Sequence, residues 1–102
     1  MVVGKAGEYL NMLTQGDDGQ RKKAAKELKK FNMPVVVTAL IDAMRSDGSS
    51  SVRKEAANSL GQLLAREAEP ALLQAAREDP NHGVRDAAIK AARKIEAVYL
   101  SD

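Results

Sequence analysis

Residues 52–63 read VRKEAANSLGQL, and this stretch recurs twice in the chain at a spacing of 32 residues. Residues 84–95 read VRDAAIKAARKI, and residues 20–31 read QRKKAAKELKKF. Three positions match in every copy: Arg21, Arg53 and Arg85; Ala24, Ala56 and Ala88; and the apolar Phe31, Leu63 and Ile95. A fixed period without slippage over three copies is typical of a stacked helical array. Arrays of this kind bind many different partners, so the period predicts an architecture and not a biological role.

The composition fits one small soluble domain. A chain of 102 residues with 44% hydrophobic residues is long enough for a core of its own and too apolar for a disordered chain. Aromatic residues make up only 3%, so small side chains must fill the space between closely packed helices. The absence of Cys excludes a disulfide framework, a thiolate metal site and a Cys nucleophile.

The start of the chain, Met1-Val2-Val3-Gly4-Lys5, is too short for a signal peptide. No apolar run approaches the roughly 20 residues that a membrane span requires. We therefore expect a cytoplasmic protein with no membrane partner.

Apolar spacing predicts six helices arranged as three hairpins. Ala24, Leu28 and Phe31 form the predicted buried stripe of the second helix. An Asp of the first turn, Asn32 and a Ser of residues 49–51 are the predicted N-caps of the second, third and fourth helices. The predicted helices span about residues 5–15, 20–31, 33–45, 52–64, 70–78 and 83–100.

The segments that lead into the second helix of each hairpin carry a shared motif. Asp47 precedes Val52 and Arg53 at the same spacing as Asp79 precedes Val84 and Arg85. These segments resemble the short HEAT-like repeats of phycobilisome lyases. The first copy departs from the motif, because Gln20 replaces Val and the Asp is displaced to residue 17 or 18.

The resemblance implies an all-α fold, an α-solenoid with a right-handed superhelix, built from three HEAT-like helical hairpins. It covers nearly the whole chain, so residues 1–102 form a single HEAT-like repeat domain with repeats at about 5–31, 33–65 and 69–100. In the resembling family the recurrent Asp and Arg residues tie adjacent repeats together. We therefore assign a structural ladder, and not a functional site, to Asp47, Arg53, Asp79 and Arg85.

Little in the sequence points to catalysis. His82 is the only His, it lies beside Gly83 in a predicted turn, and a lone His forms neither a metal site nor a triad. No Gly-rich phosphate loop is present. No catalytic residue of a bilin lyase can be matched either. We predict a protein that is not an enzyme, with no catalytic residue, no metal, no cofactor and no small-molecule substrate.

Charge is distributed unevenly between the helices. Residues 20–31, 52–65 and 84–97 carry net charges of +5, +1 and +2, so the remainder of this +2 chain carries −6. In HEAT-like arrays the second helices line the concave surface, which predicts a basic concave face. The predicted binding residues on that face are Lys22, Lys26, Lys29, Lys30, Lys54, Asn58, Gln62, Lys90 and Lys94.

The function predicted from these features is a non-catalytic scaffold module that binds an acidic protein or peptide on its basic face. Nucleic acid, bound through its phosphate backbone at the same face, is one alternative. An accessory subunit of a lyase-like complex is another, and it rests on the resemblance alone. In a third interpretation the lysines bind no partner. They are present because Lys is a good helix former and a solvent-exposed helix face carries charged residues. End-to-end self-association is also predicted, through the apolar residues near the two ends: Val2, Val3, Tyr99 and Leu100.

Overall fold

A computed structural model describes residues 4–100, and all regular structure in that range is helical. Successive helices pair as three hairpins, which confirms the predicted all-α fold of six helices. Short 3-10 turns at Leu28–Lys30 and Arg66–Ala68 follow the second helix and precede the fifth. The α-helices are α1 (Gly4–Gln15), α2 (Asp18–Glu27), α3 (Pro34–Ser46), α4 (Ser50–Gln62), α5 (Glu69–Glu78) and α6 (His82–Tyr99).

The end of α2 differs from the prediction. The α-helix stops at Glu27 and tightens into the 3-10 turn, so Phe31 has extended backbone and is only half-buried, with its ring centroid 6.4 Å from that of Tyr9. Ala24 and Leu28 are fully buried as predicted. Asn32 does not cap α3, because Met33 holds the N-cap position and makes no side-chain cap hydrogen bond.

Three N-caps repeat with the same 32-residue period. The side chains of Asp17, Ser49 and Asn81 accept hydrogen bonds from backbone N–H groups three residues further on, at 2.8, 3.4 and 3.0 Å. In the first hairpin the side chain of Gln20 also accepts from the backbone N–H of Asp17 at 2.9 Å, which completes a capping box. Gln20 therefore departs from the Val of the other copies because it helps to start α2.

The helices lie in two layers. The second helices, α2, α4 and α6, pack closely side by side, whereas α1, α3 and α5 make few contacts with one another. Closer packing of one layer is what the inner side of a curved helical array requires, so we call α2, α4 and α6 the inner layer. Large side chains without exposed surface fill the space between the layers: Leu28, Leu40, Met44, Leu60, Leu72 and Ile95.

Arginine–aspartate pairs connect each hairpin to the next. Arg53 donates from Nε and Nη2 to the two carboxylate oxygens of Asp79 at 2.9 and 3.2 Å. Arg21 donates in the same way to Asp47, at 2.9 and 3.0 Å. Both pairs are largely shielded from solvent, and bidentate geometry makes them among the stronger polar contacts available.

Each arginine is also tethered to its own hairpin. Nη1 of Arg21, Arg53 and Arg85 donates to the backbone carbonyls of Gly16, Asp47 and Asp79, at 3.0, 2.9 and 2.7 Å. Arg85 donates to no carboxylate among residues 4–100, so it does not form a rung of the ladder. Arg21, which the predicted ladder omitted, forms the first rung.

Candidate binding groove

A groove of about 430 Å³ runs along the inner layer of helices. Its floor is α4, the middle helix of the layer. One wall is formed by the last turn of α2 and the 3-10 turn that follows it, and the other wall is formed by α6. We call it the basic groove. Its lining residues are Lys26, Lys29, Glu55, Asn58, Ser59, Gly61, Gln62, Lys90, Ala91 and Lys94.

Helical spacing and the repeat period together produce this lining. Lys90 and Lys94 are four residues apart on α6, and Asn58 and Gln62 are four apart on α4, so each pair shares one helix face. The 32-residue period then aligns Lys26 with Asn58 and Lys90 across the layer. The groove is therefore a polar strip between two rows of lysines.

Small residues bring α4 and α6 close together beneath the groove. A Cβ added to Gly61 would lie 2.8 Å from the Cβ of Ala91, which is too close for two carbon atoms. Between α2 and α4, the buried hydroxyl of Ser59 donates to the carbonyl oxygen of Ala25 at 2.6 Å. These contacts fix the spacing of the three helices and hence the distance between the lysine rows.

Six of the nine predicted binding residues line the basic groove: Lys26, Lys29, Asn58, Gln62, Lys90 and Lys94. Lys22, Lys30 and Lys54 are exposed, but the structure does not bring them into it. The 3-10 turn changes the phase of Lys30, whose Nζ lies 3.0 Å from Glu27. Lys54 lies near the start of α6, where it contributes weakly to the lowered pKa of Asp86, which the hydrogen bond from Lys90 chiefly causes.

Three of the four groove lysines have no acidic partner within residues 4–100. Among residues 4–100, no carboxylate oxygen lies within 4.0 Å of the Nζ of Lys26, Lys29 or Lys94. Lys90 is the exception, with Nζ 3.0 Å from Asp86. The groove therefore exposes ammonium groups that an anionic ligand can contact without first breaking an ion pair.

Sequence reasoning missed Glu55, the one acidic residue of the described range 4–100 that lines the basic groove. It is half-buried on α4, one turn before Asn58. Its spacing of three and seven residues from Asn58 and Gln62 places it on the same helix face. That spacing was the available signal, but the repeat aligns Glu55 with Lys23 and Ala87, and neither of these was among the predicted binding residues.

The described part of the chain offers no metal site. Residues 4–100 contain no group of three His, Cys, Asp or Glu side chains that could hold a metal ion. His82 is exposed at the first residue of α6. No helix in the same range is both long and apolar enough to cross a membrane.

Comparison with known families agrees with this architecture. The sequence model that describes HEAT repeats matches residues 8–93. The chain belongs to the HEAT repeat family. The predicted HEAT-like repeats are therefore confirmed, whereas the phycobilisome-lyase subtype stays a prediction. HEAT repeats are typically non-enzymatic and commonly serve as scaffolds for protein–protein interaction. A search of curated proteins found no match.

The third HEAT hairpin presents a different face from the second. Where Gly61 of α4 lies against Ala91 of α6, the residue of α6 aligned with Gly61 is the exposed Arg93. Leu100 is exposed, but the hydroxyl of Tyr99 donates to the carbonyl of Leu64 at 3.2 Å and its ring lies under Arg66. Val2 and Val3 lie outside the described residues. End-to-end self-association through the residues near the two ends stays a prediction.

Proposed function

We propose that this HEAT domain is a non-catalytic interaction module whose basic groove binds an acidic segment of a partner protein. The observation that carries the proposal is the convergence of Lys26, Lys29, Lys90 and Lys94 from opposite walls of one groove. Three of these ammonium groups have no carboxylate within 4.0 Å among residues 4–100. A groove of like charge concentrates field lines and attracts an oppositely charged partner.

The floor of the groove favours a polypeptide partner. Asn58 and Gln62 are exposed, and their amide groups can both donate and accept hydrogen bonds. A peptide offers backbone N–H and C=O groups that match these amides, while its Asp or Glu side chains reach the lysines on either side. The family as a whole supports the coarser statement, since protein–protein scaffolding is common among HEAT repeats.

Nucleic acid is the alternative occupant of the same groove, and one observation counts against it. Base stacking on aromatic side chains supplies much of the affinity of single-strand binding proteins. The described aromatic residues, Tyr9, Phe31 and Tyr99, do not line the groove. An accessory role in a lyase-like complex has no comparable observation in its favour.

The test replaces one lysine on each wall and measures binding of two labelled probes. Fluorescence anisotropy would compare the wild type with Lys26→Gln/Lys90→Gln, using a Glu-rich peptide of about ten residues and an oligothymidine of similar length at low salt. We expect the double variant to bind the peptide about 10-fold more weakly, because each lost contact removes one favourable charge interaction.

The matched control is Lys5→Gln/Arg45→Gln. It removes the same charge from the outer helices α1 and α3 and should leave peptide binding close to that of the wild type. Peptide binding that is absent in the wild type, or equally weakened in both double variants, contradicts the proposal. Tight oligothymidine binding that falls steeply with salt would instead favour the nucleic-acid alternative.

A further inference from the structure

Glu55 is a carboxylate on the groove floor, between the two rows of lysines, and within residues 4–100 it forms an ion pair with none of them. It lines the basic groove together with Lys26, Lys29, Lys90 and Lys94. No Lys or Arg nitrogen among residues 4–100 lies within 4.0 Å of its carboxylate oxygens, and no hydrogen bond to its side chain is formed in that range. Other acidic side chains of the inner layer do form ion pairs with lysines: Asp86 pairs with Lys90, and Glu27 pairs with Lys30.

Packing does not explain this residue. The position is Lys23 in the first hairpin and Ala87 in the third, so the repeat architecture accepts other side chains there. Glu55 is half-buried in the floor, where solvent screening is weaker than on an open surface. Its oxygens can only accept hydrogen bonds, and its charge repels any anion that lies along the floor.

We propose that Glu55 is a specificity-determining residue of the basic groove, and this inference rests on the proposed function. It selects a polypeptide segment in which acidic residues flank a hydrogen-bond donor, such as a Lys side chain. It disfavours an uninterrupted polyanion such as a nucleic-acid backbone. The donor of the bound segment pairs with Glu55 while the flanking carboxylates pair with the lysines of the two walls.

The chemistry separates the two ligand classes. A phosphodiester backbone carries a negative charge at every nucleotide and has no cation to place against Glu55, so its passage through the groove includes a like-charge contact. A peptide can vary its charge from residue to residue and can therefore avoid this contact. Discrimination of this kind arises from repulsion of the wrong partner as well as from attraction of the right one.

The test compares Glu55→Gln with Glu78→Gln, which removes the same charge from the outer helix α5. Both variants and the wild type are titrated with labelled oligothymidine and with two Glu-rich peptides, one of them with a central Lys. We expect Glu55→Gln to bind the oligothymidine about 10-fold more tightly than the wild type, with Glu78→Gln within about 2-fold. The wild type should prefer the Lys-containing peptide, and Glu55→Gln should lose that preference. Equal melting temperatures would show that the substitutions leave the fold intact.

Two results overturn the inference. One is an equal gain in oligothymidine binding for Glu55→Gln and Glu78→Gln, which would reflect net charge alone. The other is an unchanged preference between the two peptides in Glu55→Gln. Failure of the proposed function is separate from both, because it is measured by the Lys26→Gln/Lys90→Gln variant with the acidic peptide.

Discussion

At the scale of single residues, Gly61 sets how closely α4 approaches α6. An added Cβ would lie 2.8 Å from the Cβ and 3.0 Å from the Cα of Ala91, so one helix must move to accept it. Gly61→Ala gains about 1 kcal/mol of helix propensity but costs about 1–3 kcal/mol of overpacking. We expect a net loss of stability of about 1 kcal/mol, measured by urea denaturation.

The control for Gly61 is Gly19 in α2. An added Cβ there meets nothing nearer than 3.6 Å, so Gly19→Ala should stabilise the protein by about 0.5–1 kcal/mol. A double-mutant cycle with Ala91→Gly adds a second check, since removing the opposing methyl should recover part of the loss. If Gly61→Ala stabilises the protein as Gly19→Ala does, the close approach is not what selects glycine.

The arginine–aspartate ladder shows how far single residues could be predicted. Repetition and the family resemblance together predicted a structural ladder of Asp47, Arg53, Asp79 and Arg85. They did not show which Arg meets which Asp, because Arg53 is six residues from Asp47 and 26 from Asp79. In the folded chain Arg53 contacts the backbone carbonyl of the nearer Asp and the carboxylate of the farther one. Pairing across repeats depends on how the hairpins stack. The spacing of residues within one repeat gives no information about that stacking.

At the scale of helices, the start of α2 depends on Asp17. Its side chain accepts from the backbone N–H of Gln20 while the Gln20 side chain accepts from the backbone N–H of Asp17. Asp17→Ala removes this capping box and should cost about 1 kcal/mol. Hydrogen exchange should show faster opening of the first turn of α2 than of α4 or α6.

Asp18→Ala is the matched control for the cap. Asp18 is the first residue of α2, and its side chain is 79% exposed and pairs with Arg21 at 2.7 Å. Exposed pairs contribute little, so this variant should lose much less stability than Asp17→Ala. Equal losses would mean that negative charge at the helix start, and not the cap hydrogen bond, stabilises α2.

The end of α2 shows why one predicted binding residue does not reach the groove. The apolar pattern of Ala24, Leu28 and Phe31 continues past Glu27, and the lysines around it carry no stop signal. The backbone nevertheless tightens to a 3-10 turn at Leu28, which shifts the phase of the residues that follow. Lys29 still reaches the groove, whereas Lys30 turns to Glu27. The change from α-helix to 3-10 helix therefore leaves Lys30 outside the groove.

At the scale of the whole molecule, the two rungs join all three hairpins through ionised aspartates. The hydrogen bond from Arg21, opposed by burial and aided by the Ser49 N–H, lowers the pKa of Asp47. Burial acts to raise the pKa of Asp79, but the hydrogen bonds from Arg53 and the Asn81 N–H outweigh it, so this pKa is also lowered. Acid should therefore weaken the contacts between hairpins.

The sign of the effect follows from proton linkage. Because both pKa values are lower in the folded than in the unfolded chain, the folded chain binds fewer protons. The stabilisation is complete above the ordinary Asp pKa of about 3.9 and is lost as the pH falls through the folded-state values. Urea denaturation at a series of pH values should show the free energy of unfolding falling below about pH 4.

The variant Asp47→Asn/Asp79→Asn tests whether the rungs cause this loss. Removing the carboxylate of Asp79 alone should cost about 1.5–3 kcal/mol at neutral pH, because hydrogen bonds to charged groups are the stronger kind. The double variant should be less stable at neutral pH and lose less further stability on acidification, since it has no rung carboxylates left to protonate.

The control is Asp42→Asn. Asp42 is an exposed residue of α3 that forms no ion pair among residues 4–100, so this variant should keep the full acid dependence. An acid dependence in the double variant as steep as that of the wild type would show that the stack is held together by its apolar core and not by its rungs.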